Sequence, residues 1–162
     1  MEEDLRLEAQ VGAALLERGW TIATAESCTG GLIAHRLTNI AGSSAYVIGG
    51  VITYANAAKM SLLKVREETL ARVGAVSEQT AREMAQGALK LFGVDLALSV
   101  TGIAGPGGGT PEKPVGLAYI GAATRSGRVQ VIRHVSPGDR EAIKAASADT
   151  ALRLALTMIA ED

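Results

Sequence analysis

Apolar positions along this chain switch between helical and strand periods, and the alternation predicts a layered α/β protein. Leu5, Ala9, Gly12, Ala13 and Leu16 recur at helical spacing and Gly19 follows as a stop, predicting a first helix over residues 4–18. Trp20 to Ala25 reads as a short strand, and a helix over 30–38 follows it. Ala41-Gly42-Ser43-Ser44 then punctuates the chain. Tyr46 to Tyr54 is β-branched and apolar on both faces, which predicts a buried strand, with Gly49 and Gly50 marking a close backbone approach. Asn56 to Leu63 and Glu67 to Val73 predict two short helices. Ser77 is a good N-cap, and Ala81, Met84, Ala85, Ala88 and Phe92 keep one apolar face up to Gly93, predicting a longer helix. Val94 to Val100 predicts another buried strand. A loop from Ile103 to Pro114 leads to a hairpin, Val115 to Thr124 and Arg128 to Val135, around Ser126-Gly127. A long helix from about Asp139 to Ala160 closes the chain. The expected product is one domain over 1–162, a three-layer α/β/α sandwich with a mixed, mostly parallel sheet.

Composition agrees with that reading. At 162 residues the chain buries roughly 70% of the surface its unfolded form exposes, enough for one core without metals or disulfides. Apolar residues are 48% of the chain but aromatics only 3%, so the core is built from Ala, Val, Leu and Ile. The net charge of −1, with both signs mixed throughout, gives no electrostatic footprint for nucleic acid or an anionic membrane. The one cysteine, Cys28, cannot form an internal disulfide. His35 and His134 are isolated, so no metal site is expected. No leader or 18-residue apolar run is evident, which places the chain in the cytoplasm as an expectation.

In open α/β sheets ligands collect beyond the carboxyl ends of strands, and Ser27, Tyr54 and Thr101 all fall there. Ala25-Glu26-Ser27-Cys28-Thr29-Gly30-Gly31 puts a hydroxyl and a thiol at a strand-to-helix turn, where the first helical amides welcome negative charge. The same residues also fit a plain helix cap with a glycine packing contact, and Ala25 stands where a nucleophile elbow needs glycine. A serine needs a base. Lys59, made neutral by burial or nearby positive charge, would supply one, with Tyr54 relaying the proton or orienting the lysine. Against this stand the ordinary readings of Lys59 as a solvated helix residue and Tyr54 as a strand-end tyrosine. The Thr101 to Thr110 run follows a strand but opens no helix, since Pro106, Pro111 and Pro114 keep it extended or turning, so it is not a dinucleotide fingerprint. Arg140, in the first turn of the last helix, is disfavoured by the dipole unless it meets an anion such as a phosphate. Cys28 reads as packing.

Taken together, Ala25 to Gly31, Gly42-Ser43-Ser44, Gly49-Gly50-Val51, Tyr54 to Lys59, Val76-Ser77, Thr101 to Gly108, Lys113 to Gly116 and Gly138-Asp139-Arg140 resemble the CinA carboxy-terminal domain family, in the family's order over nearly the whole chain. The resemblance implies an α/β/α sandwich and the activity of a nicotinamide mononucleotide deamidase, which releases nicotinate mononucleotide and ammonia in pyridine nucleotide recycling. It implies Ser27 as nucleophile with Tyr54 and Lys59 as proton-handling partners. Thr29, Gly30, Ser43, Ser44, Thr101, Gly102, Ala104, Gly105 and Arg140 become substrate-site residues, with no cofactor and no metal. Amides at the start of the following helix would hold the oxyanion. Ala57 stands where the family often has glutamate, and Ser136 where an aromatic usually precedes Gly-Asp-Arg. The chain looks like the standalone form, and a homodimer is the expected assembly. Two other classes fit less well: a short-chain dehydrogenase, whose tyrosine and lysine are separated by three residues where this chain has four, and a non-catalytic pyridine-nucleotide or protein-binding module, for which Ser27, Tyr54 and Lys59 together would be superfluous.

Overall fold

The computed structural model describes residues 5–162, so Asp4, the expected start of the first helix, lies outside the described residues. The chain runs α1 (Leu7–Arg18), β1 (Ile22–Glu26), α2 (Leu32–Thr38), a 3₁₀ turn at Ser43–Ala45, β2 (Val47–Ile52), α3 (Asn56–Leu63), α4 (Glu67–Val73), α5 (Glu78–Phe92), β3 (Leu96–Gly102), β4 (Leu117–Thr124), β5 (Val129–Val135) and α6 (Arg140–Glu161). The strands form one sheet in the order β2-β1-β3-β4-β5. β1 pairs in parallel with β2 and β3, while β4 runs antiparallel to both β3 and β5. Only β4 is therefore reversed, and the sheet is mixed with four strands pointing one way.

Helices cover both faces because successive strand residues point to opposite sides. Ile22, Leu98, Val100 and Ile120 pack with Val11, Leu15, Leu37, Leu152 and Met158 from α1, α2 and α6. On the other face Ala23, Ala25 and Ala97 pack under Met84 and Ala88 of α5 and Leu63 of α3. Small strand residues let α5 lie close. Gly87 lets α3 close on α5, since a Cβ there would run into the Leu63 carbonyl. Ser77 caps α5 by accepting from the Thr80 amide, and Asp139 caps α6 by accepting from Ala142 N at 2.9 Å.

One expectation is corrected. β2 is an edge strand, half-covered rather than buried on both faces: Val51 packs into the α5-side core, but Ile48 and Ile52 are more than half exposed. A run apolar on both faces does not say how far the facing helix layer reaches. The parallel arrangement nevertheless brings the carboxyl ends of β1, β2 and β3 to one edge of the sheet, and that edge holds the site.

Candidate functional site

β1 ends at Glu26, and the chain turns through residues 27–31 into α2. Gly30 and Gly31 have φ of +62° and +106°, which side chains rarely adopt. Ser27 N donates to the Val100 carbonyl at 3.0 Å, tying the turn to β3. Glu26, only 1% exposed, folds back beneath the turn. Its carboxylate accepts from Thr29 Oγ1 at 2.6 Å, Ile33 N at 2.9 Å and Ala34 N at 3.0 Å. The first amides of α2 are thus occupied by an internal carboxylate, which corrects the expectation that they receive an oxyanion. The amides next to Ser27 in the turn are those of Cys28 and Thr29. Glu26 went unremarked in the sequence, where its only signal is an acid placed just before a helix start.

Lys59, the fourth residue of α3, is 1% exposed and not a solvated helix residue. Its Nζ lies 3.0 Å from Ser27 Oγ and donates to the carbonyls of Thr53 at 2.9 Å and Tyr54 at 3.1 Å. A neutral amine has two N–H donors and one lone pair. In that form the two carbonyls take both donors and the lone pair faces the Ser27 hydroxyl, whereas an ammonium donates to all three oxygens, Ser27 Oγ included. Among the described residues no carboxylate forms a salt bridge with Lys59, and burial holds its pKa below the ordinary value, opposed only by the Cys28 sulfur. Cys28 itself is buried, which pushes its thiol up to about 11, so it stays protonated near neutrality.

Of the two parts expected of Tyr54, relaying the proton or orienting the lysine, the second is met, but by its backbone and not by its side chain. Its backbone carbonyl orients Lys59, whereas the residue is 64% exposed and its phenol accepts from Arg140 Nη2 at 3.2 Å. Arg140 Nη1 donates to the Gly105 carbonyl at 2.7 Å, so the guanidinium joins the loop after β3 to the end of β2. Thr101 Oγ1 donates to the Ala75 carbonyl at 2.8 Å and fixes the link between α4 and α5 against the site.

These groups surround a cavity of about 190 Å³. Ser27, Tyr54, Lys59, Thr101, Gly102, Ala104 and Arg140 line it, joined by Cys28, Asn56, Ala75 and Val76, of which the last three had no separate signal as site residues. Thr29, Gly30 and Gly105 stand beside it without lining it; Thr29 spends its hydroxyl on Glu26 and Gly105 its carbonyl on Arg140. Ser43 and Ser44 do not join the site. They form the 3₁₀ turn that precedes β2, whereas Tyr54 follows that strand, so they sit at the opposite edge of the sheet, roughly 20 Å away at about 3.3 Å per residue. A larger groove of about 800 Å³ between α3, α5 and the β4–β5 hairpin contains none of the expected site residues. Among the described residues there is no group of three or more His, Cys, Asp or Glu placed to hold a metal, and no helix long and apolar enough to cross a membrane.

The chain is similar in sequence and structure to known proteins. A family model described as the CinA C-terminal domain matches residues 4–159. A "CinA-like protein" of Chloroherpeton thalassium is 64% identical over 121 residues, 75% of this chain, and the match spans only 29% of that longer protein. The "Nicotinamide-nucleotide amidohydrolase PncC" of Enterobacter agglomerans is 53% identical over 150 residues, covering 93% of this chain and 92% of that protein. The crystal structure of competence/damage inducible protein CihA from Agrobacterium tumefaciens superposes with a TM-score of 0.92 at 44% identity, covering 99% of this chain and 100% of that one.

Proposed function

The chain belongs to the CinA C-terminal domain family, and from that premise we propose that it is a nicotinamide-nucleotide amidohydrolase, converting nicotinamide mononucleotide and water to nicotinate mononucleotide and ammonia. The name of the Enterobacter agglomerans relative, matched over nearly its whole length, supports the reaction. The observation that carries the mechanism is the buried Lys59 Nζ 3.0 Å from Ser27 Oγ.

Neutral Lys59 accepts the Ser27 proton as Oγ attacks the carboxamide carbon, which the electron-withdrawing pyridinium makes more electrophilic. The carbonyl oxygen becomes an oxyanion beside the Cys28 and Thr29 amides. Collapse of the tetrahedral intermediate breaks the C–N bond, and Lys59 returns its proton to the leaving nitrogen, giving ammonia and a Ser27 ester. Water then attacks the ester with Lys59 again taking a proton, and the acid product leaves as Ser27 regains its own. The substrate's positive ring further disfavours protonated Lys59, so binding itself readies the base. Arg140, Tyr54, Thr101, Gly102 and Ala104 bind the substrate, and no step draws on a metal or cofactor.

Pyridine nucleotide recycling, a cytoplasmic location and a homodimeric state belong to the same proposal, and light scattering giving a monomer mass would remove the last. Ammonia release from nicotinamide mononucleotide, assayed with chelator present, tests the reaction. Wild type should turn over and folded Ser27→Ala should not; an active Ser27→Ala would end the serine mechanism.

A further inference from the structure

The cavity at Ser27 is small for the substrate proposed. At about 190 Å³ it falls below the roughly 300–1,000 Å³ of sites that enclose a drug-sized ligand, so it has room for the pyridine carboxamide while the ribose phosphate lies outside. With the carboxamide carbon at Ser27 Oγ, the phosphate must meet whatever stands around the mouth. Arg140 stands there, but its guanidinium is bonded to the Gly105 carbonyl and the Tyr54 phenol.

One turn further along α6 is Lys144. Residues four apart share a helix face, so it is presented on the side of α6 that carries Arg140. Its Nζ lies over the turn that follows the nucleophile, 3.7 Å from where a Cβ on Gly30 would be, and its charge is felt at Cys28. Among the described residues Lys144 makes no hydrogen bond or salt bridge. The other lysine near the mouth is Lys113, beside Gly74, and its ammonium is bonded to the Val73 carbonyl at 2.7 Å. A half-buried, uncommitted ammonium next to Ser27's turn and one helical turn from an arginine is the arrangement a phosphate monoester would meet.

We infer that Lys144 is a specificity residue, binding the substrate's phosphate beyond the cavity mouth with Arg140 beside it, so that the site prefers the nucleotide to the nucleoside. The inference rests on the amidohydrolase reading and deepens it.

The test compares nicotinamide mononucleotide with nicotinamide riboside, the same amide without the phosphate, on wild type, Lys144→Ala, Lys144→Arg and Lys113→Ala. Lys144→Ala should lower kcat/KM for the nucleotide about ten-fold or more, chiefly through KM, since a charge-assisted contact is lost, and leave the nucleoside within about two-fold. Lys144→Arg should recover most of the loss. An equal effect on both substrates, no effect on either, or a selective loss in Lys113→Ala instead would overturn the inference. Thermal stabilisation by the nucleotide provides a second readout independent of turnover: it should shrink in Lys144→Ala, and an unchanged shift overturns the phosphate contact. A wild type that is stabilised by the nucleotide through Lys144 but releases no ammonia counts against the amidohydrolase reading and supports the contact. A wild type showing neither turnover nor stabilisation overturns both.

Discussion

Lys59→Met removes the base while keeping the shape of the side chain, and the structure gives the size of each consequence. Lys59 is the hydrogen-bond partner of Ser27 Oγ among the described residues, so its loss leaves the nucleophile without a proton acceptor. General-base catalysis is worth roughly 10²–10⁴-fold, and turnover should fall by about that much. Stability should move less. The substitution leaves the Thr53 and Tyr54 carbonyls without the amine, at about 1–3 kcal/mol each, and gains about 1.5–3 kcal/mol from an apolar side chain in a buried place. The net runs from a gain of about 1 to a cost of about 4.5 kcal/mol, centred on a cost of about 2 kcal/mol, which is roughly 4–8 °C in Tm at this chain length. The balance should also depend on pH. Burial lowers the folded-state pKa of Lys59 below its ordinary 10.5, so between those two values the unfolded chain binds more protons than the folded one. Wild-type stability relative to Lys59→Met therefore rises with pH through that window, by at most about 1.36 kcal/mol per unit, and levels off above 10.5. Chemical denaturation of both proteins from neutral to alkaline pH, with ammonia release at each pH, measures all three. A Lys59→Met enzyme within ten-fold of wild type, or a stability difference that falls as pH rises, would refute the neutral-lysine argument.

Glu26→Ala strands three donors at the start of α2 and should cost about 3–5 kcal/mol, read as a lowered midpoint in urea, with kcat falling further because the Ser27 turn loosens. Cys28→Ser should leave turnover within a few-fold, and iodoacetamide should modify the wild type slowly at pH 7, because burial keeps the thiol protonated. Gly87→Ala pushes a methyl into the Leu63 carbonyl and should cost about 1–3 kcal/mol in thermal unfolding while moving α3, and with it Lys59, enough to reduce kcat.

Much of the fold was legible because pattern and punctuation agreed. Asn56–Leu63 and Glu67–Val73 were bounded correctly, and Ser77 and Gly93 bracket α5 as capping chemistry requires. Strand environment was less legible. β2 looks buried in sequence, yet it lies at the sheet edge, and strand order depends on contacts between distant segments. At the site, Ser27, Tyr54 and Thr101 are legible together because parallel strands deliver their carboxyl ends to one edge, with Lys59 following Tyr54 closely, whereas Arg140 joins them only through the resemblance. Ser43 and Ser44 are implied by the resemblance alone, and they precede a strand of that same parallel set and so face the opposite edge. Side-chain direction was hidden too: nothing in the sequence says that the Tyr54 carbonyl, rather than its phenol, meets Lys59. The part of Glu26 is not legible either, because its three donors converge on it only once the turn has folded over its carboxylate.

If the carboxamide passes through a Ser27 ester, added hydroxylamine will intercept it. If the ester forms, hydroxylamine competes with water for it, so wild type should divert nicotinate mononucleotide into the corresponding hydroxamate while ammonia release is maintained, and Ser27→Ala should yield neither product. Unchanged nicotinate mononucleotide with no hydroxamate at high hydroxylamine, together with turnover by Ser27→Ala, would show that water attacks the carboxamide directly and would contradict the account.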